Sequence, residues 1–398
     1  MSSLPAIWLY GRAANRARAQ GLAQRLAAPA RALFLGPPGD PSPDLDLGLD
    51  PDLALALEAC PPRLRPAALV YLDPAEDPPP LDLDCLPCPL LAWPPAGALP
   101  PGLTRPLPPG EDEAAREILS QAAQGRHFPW LARVQVNLPL RDLLGRFRPL
   151  VEGVEFHPEV GLDAQALDTL GPEDLEVARG LLAGRRVTAH LPFMDLSPGA
   201  ADTAVGQVAS LRLSVAAEWA VGLEARQAVA HLGYWWMIHR DLDAFARRLA
   251  EVLGPVAARL AEAGCDLVLE NTMEPDPRPL LTAREATAAR AGVPVGLCLD
   301  VGHVLAFSRT PLAAWWPAVA GHLAELHLHD NDGQDDRHQP PGRGLVDWGF
   351  LAREIPRLPR RPVLTLEPHS EPHFWGFLRG LEEVWGPGGL GESPRPPL

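Results

Sequence analysis

Residues 130–370 repeat one pattern eight times: a short apolar run typical of a buried β-strand, then an amphipathic stretch typical of a helix. The apolar runs occupy residues 132–138, 151–156, 185–191, 228–232, 266–271, 295–300, 323–329 and 362–367. Nearly continuous apolar strands are typical of a parallel sheet that is buried on both faces. Eight strand–helix units in about 250 residues are the signature of a closed barrel. The sequence therefore predicts an α/β protein with a (β/α)₈ TIM barrel over residues 126–385.

A shorter α/β pattern precedes the barrel. Strand-like runs at 6–10, 32–35, 68–72 and 89–93, with a helical stretch at 11–28, predict a small α/β domain over residues 1–125. Its sheet is expected to be partly parallel, and its role is not assigned. Residues 36–39 lack the Gly-Lys-Ser/Thr of a phosphate loop, and the CxxC pair Cys85 and Cys88 lacks a second ligand pair. Residues 386–398, rich in Gly and Pro, are predicted to be a disordered tail.

Charge and composition narrow the partners. The formal net charge is −15, which opposes binding to a phosphate backbone, so nucleic acid is an unlikely partner. No apolar run approaches the ~18 residues of a membrane span, and the first residues lack a signal-peptide pattern. Five cysteines at irregular spacing do not form a disulfide framework. We expect a cytoplasmic protein that acts on a small-molecule substrate.

Titratable residues end almost every predicted barrel strand. In chain order they are Glu155, His190, His231, Glu270, Asp300 with His303, His327 with His329 and Asp330, and Glu367. Barrel enzymes place catalytic groups at the carboxyl ends of the strands, so these side chains are expected to converge there. Buried carboxylates need partners, and a divalent cation can serve several of them at once. Oxygen ligands mixed with imidazoles suit Mn²⁺, Zn²⁺, Co²⁺, Fe²⁺ or Mg²⁺.

These motifs resemble those of the xylose-isomerase-like TIM barrel superfamily, which includes sugar phosphate isomerases and epimerases and endonuclease IV. The resemblance is carried by segments 188–192, 270–272, 298–303, 327–332, 336–338, 342–344 and 366–368. Together these span most of residues 130–385. The predicted N-terminal domain lies outside the resemblance.

In the isomerase and epimerase branch, the resemblance implies one divalent metal held by Glu270, Asp300, His327 and Glu367. There the metal polarises a substrate carbonyl and hydroxyl and stabilises an enediolate. Glu270 and Glu367 would then act as the catalytic base and acid on a carbon-bound proton. The favoured interpretation is an isomerase or epimerase acting on a sugar, sugar phosphate or related polyol.

The endonuclease IV branch is the alternative. It uses further ligands to hold several metal ions around a phosphodiester, and the matching positions here are His190, His231, His303, Asp336 and His338. This branch implies a multinuclear phosphodiesterase. Because the chain is acidic, its substrate would be a non-DNA phosphodiester such as the nucleotide loop of a cobamide.

Other residues are candidates for substrate contact. Glu155 is placed to meet substrate hydroxyls, and Trp235 (or its neighbour Trp236) to wall the pocket. Arg343 follows the seventh barrel strand, where barrels often hold a phosphate, although a surface salt bridge is an equal alternative. Cys298 is two residues before Asp300 and is expected to pack inside the barrel.

Overall fold

The computed structural model describes residues 6–10, 31–35, 66–72, 90–93, 105–106, 114, 130–131, 133–154, 156–386 and 390 of the 398. The chain divides into two compact units. One comprises Met1–Phe128 with Ser370–Gly376, and the other comprises Pro129–His369 with Phe377–Leu398. The predicted boundary after residue 125 stays a prediction. The predicted helix at 11–28, Cys85, Cys88 and residues 36–39 lie outside the described residues, as does most of the predicted tail.

The first unit contains a parallel five-stranded sheet. Its strands are β1 (Ala6–Tyr10), β2 (Arg31–Leu35), β3 (Pro66–Leu72), β4 (Leu90–Trp93) and β5 (Arg105–Pro106), in the order β2-β1-β3-β4-β5. The four predicted strands match β1 to β4, whereas β5 was not predicted. All the pairings are parallel, and a partly parallel sheet was expected. The strands agree with the predicted small α/β domain, whose bounds and helices stay predictions.

The second unit is a closed barrel of eight parallel strands. They are β6 (Gln135–Pro139), β7 (His157–Gly161), β8 (Thr188–His190), β9 (Gln227–His231), β10 (Asp266–Glu270), β11 (Gly296–Asp300), β12 (Leu323–Leu328) and β13 (Val363–Leu366). Each strand pairs with the next along the chain, and β13 pairs with β6 to close the ring. The predicted (β/α)₈ barrel is confirmed.

Helices follow the barrel strands. Their bounds are α1 (Leu140–Leu144), α2 (Arg148–Gly153), α3 (Ala164–Thr169), α4 (Pro172–Leu182), α5 (Thr203–Gly222), α6 (Leu242–Glu262), α7 (Arg278–Ala291), α8 (Val301–Phe307), α9 (Leu312–Val319), α10 (Trp348–Glu354) and α11 (Glu371–Trp385). Five helices begin at an aspartate whose carboxylate accepts a backbone N–H of the first turn: Asp163, Asp202, Asp241, Asp300 and Asp347. None of the helices in the described part of the chain has both the length and the apolar composition needed to cross a bilayer.

The second barrel strand lies later than predicted. Residues 151–156 were expected to be a strand ending at Glu155, but helix α2 extends to Gly153 and the strand begins at His157. Pro149 in the first turn of α2 favours this helix start, since proline lacks the N–H that the first turn leaves unpaired. Glu159, in the true strand, is fully buried. Glu155 itself lies outside the described residues.

The barrel interior contains both apolar and polar side chains. Val229, Val268 and Cys298 form a fully buried apolar cluster, to which Ala324 also packs. The predicted packing position of Cys298 agrees with this cluster. Gln227, at the start of β9, and Glu325, the register partner of Cys298, are also buried, and Gln227 donates to Glu325. The apolar cluster therefore lies among polar groups, and the candidate functional groups lie at the carboxyl ends of the strands.

Candidate functional site

Glu270 lies at the centre of the polar cluster. One carboxylate oxygen, Oε2, lies 3.1 Å from His190 Nε2 and 3.0 Å from His231 Nε2. The other, Oε1, lies 3.3 Å from His303 Nδ1 and 3.5 Å from His327 Nδ1. The β9–β10 register sets Glu270 beside His231. Because Glu270 is only 1% exposed, these imidazoles replace water as its partners.

His327 lies close to the three carboxylates that the single-metal interpretation groups with it. Its Nδ1 atom lies 3.2 Å from Glu367 Oε1, 3.5 Å from Glu270 Oε1 and 3.9 Å from Asp300 Oδ2. Asp300 and His327 are register partners on β11 and β12, and Glu367 directly follows β13. The closed barrel therefore brings these three carboxylates around one ring nitrogen.

A second cluster forms around Asp336 in the loop after β12. Asp336 Oδ2 lies 3.2 Å from His303 Nε2 and 3.1 Å from His338 Nε2. Its Oδ1 atom lies 3.6 Å from His329 Nε2. His329 also lies 2.9 Å from Asp300 Oδ2, so His329 and Asp300 connect this cluster to the first. All nine predicted ligand positions are thus brought together.

Burial and charge pull the pKa values of the first cluster in opposite directions. Burial alone would raise the pKa of Glu270, but the positive charges of His231 and His327 and the hydrogen bonds from His190 and His231 hold it well below its usual range. Burial disfavours the charged form of His190, yet its hydrogen bond to Glu270 raises its pKa to about 9. Burial lowers the pKa of His231. The carboxylate is therefore ionised at neutral pH, and its charge is balanced by imidazolium.

The same opposition appears around Asp336 and Glu367. Burial opposes ionisation of both carboxyls, but hydrogen bonds and positive charge from neighbouring histidines lower both pKa values. Burial likewise opposes the charge on His338, and the hydrogen bond to Asp336 overcomes it and raises the pKa of His338 to about 9. Without a cation, the buried negative charges need protonated imidazoles as partners.

Orphaned polar atoms show that the residues fit a divalent cation. Within the two clusters, five buried atoms make no hydrogen bond of good geometry: His327 Nδ1 and Nε2, His329 Nδ1, Asp336 Oδ1 and Glu367 Oε2. A buried polar atom left unpaired costs about 1–3 kcal/mol, and ligation removes that cost. At least four ligand sets have donor atoms within 4.8 Å of one another, including His190–His231–Glu270 and His303–His329–Asp336–His338. That spacing agrees with ligands about 2.0–2.3 Å from one ion.

Backbone contacts fix the ligands from behind. The Asn271 side chain donates to the carbonyl of Asp300 (3.0 Å) and accepts the N–H of Asp300 (2.9 Å), which joins β10 to β11. Asp300 Oδ1 accepts the N–H of His303 (2.7 Å) and so caps α8. Asn271 directly follows Glu270 but was not predicted to have a role of its own.

Asp330 organises the loop that carries Asp336 and His338. Its Oδ1 atom accepts the N–H groups of Asn331 and Val346, and its Oδ2 atom accepts the N–H of Gly342 and the Trp348 indole N–H. A fully buried carboxylate with four donors is satisfied by the protein alone. Asp330, one of the predicted strand-end residues, is therefore a structural clamp for this loop.

Four buried acidic or imidazole residues were missed as site residues. His329 was noted only as a strand-end residue, and Glu159, Glu274 and Glu325 were not singled out. Glu325, His327 and His329 alternate along one strand, and this period of two was the signal that could have found Glu325 and His329. Glu159 was missed because the strand was placed too early. Burial raises the pKa of Glu274 to about 7 and, with the charge of Glu159, that of Glu325 to about 8.

A cavity of about 580 Å³ opens onto these residues. Its polar lining includes His190, His231, Glu270, His303, Asp336, His338 and Glu367. The rest of its lining comes mainly from loops after β6, β7 and β8 and is mostly apolar. Such a volume suits a small-molecule ligand.

Two predicted substrate contacts lie elsewhere. Neither Trp235 nor Arg343 lines this cavity. Trp235 lies in the loop after β9 and is 43% exposed. Arg343 forms a surface ion pair with Glu383 (3.0 Å), which is the alternative stated for it, and its contact with substrate stays a prediction. The hydrogen bonds of Asp330 fold back the loop after β12, and no feature of the sequence predicted this loop conformation.

The relatives of this chain include a named epimerase and a named endonuclease. The chain is 28% identical over 110 residues to fructoselysine 3-epimerase of Escherichia coli O157:H7, which covers 27% of this chain and 40% of the relative. It is 29% identical over 179 residues to a probable endonuclease 4 of Solibacter usitatus, covering 38% of this chain and 60% of the relative. The chain thus spans less than two thirds of the length of either protein.

A solved structure of a Thermus thermophilus protein, soaked with ZnCl₂, matches more fully. It is 31% identical, has a TM-score of 0.53, and the match covers 64% of this chain and 98% of that one. The family model described as xylose isomerase-like TIM barrel matches residues 151–387, which is more than half of the chain. With the closed barrel and its strand-end carboxylates and imidazoles, this match means that the chain belongs to the xylose isomerase-like TIM barrel family.

Proposed function

We propose that this protein is a divalent-metal-dependent isomerase or epimerase acting on a sugar, sugar phosphate or related polyol. The observation that carries the proposal is the pair of buried carboxylates, Glu270 and Glu367, that approach the same ring nitrogen of His327. Glu270 ends β10 and Glu367 follows β13, so two strands lie between them, and both residues line the cavity. The relative named fructoselysine 3-epimerase supports this reaction class.

Glu270, Asp300, His327 and Glu367 would hold the cation. When bound, the cation supplies Lewis-acid polarisation of substrate carbonyl and hydroxyl oxygens. The low pKa values of Glu270 and Glu367 keep both carboxylates able to accept a proton at neutral pH. One carboxylate takes the carbon-bound proton and later releases it to solvent, whereas the other takes up a proton from solvent and delivers it to the carbon. His190 and His231, bonded to Glu270, fix the direction in which its carboxylate points.

Solvent-deuterium exchange tests this proposal. Protein loaded with Mn²⁺ or Co²⁺ is incubated with a panel of ketoses and their phosphates in D₂O, and NMR measures deuterium at the carbon next to the carbonyl. We expect incorporation by the wild-type protein and at least about a 100-fold loss in Glu270→Gln and in Glu367→Gln. Asp332→Asn, a change at a residue outside both clusters, is the control and should retain exchange. Near-normal exchange in both glutamine variants contradicts the proposal.

A second candidate is a multinuclear phosphodiesterase acting on a non-DNA substrate such as a cobamide nucleotide loop. The specific observation in its favour is the pair of additional ligand sets, His190–His231–Glu270 and His303–His329–Asp336–His338, which a single cation does not need. The similarity to a probable endonuclease 4 agrees with it. Several cations there would neutralise charge on attacking and leaving oxygens.

Metal content separates the two candidates. Elemental analysis of protein purified without chelator should give about one equivalent of cation per chain for the isomerase. Two or three equivalents favour the phosphodiesterase. Asp336→Ala and His338→Ala extend the test: they should abolish hydrolysis of a model phosphodiester and lower the metal count in a hydrolase, but only weaken substrate binding in an isomerase.

A further inference from the structure

The cavity has two chemically different walls. The ligand residues lie at or after β8 to β13, and Phe147, Leu162, Leu191, Phe193 and Met194 lie after β6, β7 and β8. Pro139, Pro192 and Pro368 extend this apolar surface. Since β13, β6, β7 and β8 are neighbours in the barrel, the apolar residues occupy one continuous arc of its rim.

Four polar residues lie in the apolar arc, Asn137, Arg146, Asp163 and His369, and each contacts another protein group, although Arg146 and Asp163 stay about half exposed. Asn137 donates to Glu159 Oε1 (2.7 Å), and Asp163 accepts the N–H of Ala166 (2.6 Å) as the cap of α3. Arg146 donates to Asp142 Oδ2 (2.8 Å), and its guanidinium lies 4.6 Å from the centre of the Phe147 ring. A row of sugar hydroxyls buried here would meet few partners, and each unpaired hydroxyl would cost binding free energy.

Phe193 links the apolar arc to the ligands. Its ring stacks on His231, with centroids 4.2 Å apart and planes at 27°, and meets the His190 ring at 5.2 Å edge-on. Yet Phe193 remains 42% exposed and Met194 is 70% exposed. Large apolar side chains left open beside a cluster of buried charges indicate a surface that an apolar ligand group covers.

We propose that the substrate has a hydroxylated reacting head and an apolar, preferably aromatic, remainder that packs against Phe193 and Met194, beside the buried Phe147 and Leu162. The inference rests on the proposed function only for the chemistry of the head. It narrows the substrate class from free sugars to compounds such as aryl or alkyl conjugates. Specificity then lies in the apolar arc, because the ligand residues recognise only the head.

Two hydroxamates test the proposal by binding alone. Acetohydroxamate presents a metal-chelating head, and 2-naphthohydroxamate adds a planar apolar group to the same head. Isothermal titration of the Mn²⁺-loaded full chain measures both affinities. Apolar burial gives roughly a tenfold gain in affinity for every ~55 Å² covered, so we expect the naphthyl compound to bind about 10- to 50-fold more tightly.

Variants locate this preference in the apolar arc. Phe193→Ala, a change at a partly exposed residue, should reduce the ratio of the two affinities about fivefold or more. Leu211→Ala, at a 65% exposed apolar residue of α5, is the matched control and should keep the wild-type preference. If the naphthyl compound binds no more tightly than acetohydroxamate, or does not bind, the proposal is wrong. An unchanged preference in Phe193→Ala also overturns it. Deuterium exchange reports separately on the proposed reaction, so either proposal can fail alone.

Discussion

Replacing Gly302 by alanine tests how closely the ligands are packed. Gly302 is the second residue of α8, and an added Cβ would lie 2.0 Å from His329 Cε1 and 2.4 Å from His329 Nδ1. Ordinary contact begins near 3.4 Å, so the ring must move by about 1.4 Å. His329 cannot move that far and keep its 2.9 Å hydrogen bond to Asp300.

The cost has two parts. Overpacking a dense interior costs about 1–3 kcal/mol, and leaving Asp300 Oδ2 without its partner in a fully buried position costs about 1–3 kcal/mol. We expect Gly302→Ala to lower the free energy of unfolding by about 2–6 kcal/mol. Gly206 is the matched control, since it lies in the first turns of α5 and a Cβ there meets nothing within 4 Å. Gly206→Ala should be neutral or stabilise by about 0.5–1 kcal/mol.

Urea unfolding followed by circular dichroism measures both variants in metal-free protein. The sharper assay is a double-mutant cycle with His329→Ala, which removes the ring that the new Cβ would meet. Gly302→Ala should then cost little or nothing. An equal cost in both backgrounds would refute the reasoning, because the damage would not arise from the His329 ring.

Two further perturbations probe the loops around the site. Asp330→Asn places an NH₂ group among four hydrogen-bond donors. We expect it to lower the free energy of unfolding in urea by about 2 kcal/mol or more and to alter Trp348 fluorescence. The control Asp332→Asn should change neither quantity. Burial raises the pKa of Glu274 from its ordinary 4.5 to about 7, so its folded form holds a proton more tightly than its unfolded form. As the pH rises from 4.5 to 7, the free energy of unfolding of the wild type should therefore fall relative to that of Glu274→Gln, by at most about 3 kcal/mol. Equal pH dependence in the two proteins would contradict this, and Glu285→Gln, at an exposed residue, should match the wild type.

The barrel and most ligand positions could be predicted because both depend on local patterns. An apolar run that ends in a carboxylate or imidazole is visible in one strand, as at His231, Glu270 and Asp300. Closure of a parallel barrel then brings those ends together without further information. The seven barrel strands other than the second were predicted within a few residues.

The remaining features depend on contacts that no single strand contains. His157–Gly161 was missed because a proline at its second position argues against a strand, although prolines are tolerated near strand starts. The clamp formed by Asp330 reaches backbone N–H donors up to 16 residues away, and any residue except proline supplies such a donor. The position of Arg343 has the same origin, since the folded-back loop turns it towards Glu383.

The division of the cavity into a ligand wall and an apolar arc affects how this enzyme can change during evolution. Apart from Pro368, the apolar residues lie between positions 139 and 194, whereas most of the ligands lie between 231 and 367. Substitutions at Phe147, Leu162 or Met194 can therefore reshape the pocket while every ligand keeps its neighbours. Substrate range can drift by single mutations without passing through inactive intermediates, and sequences that share the ligand set can differ in what they bind.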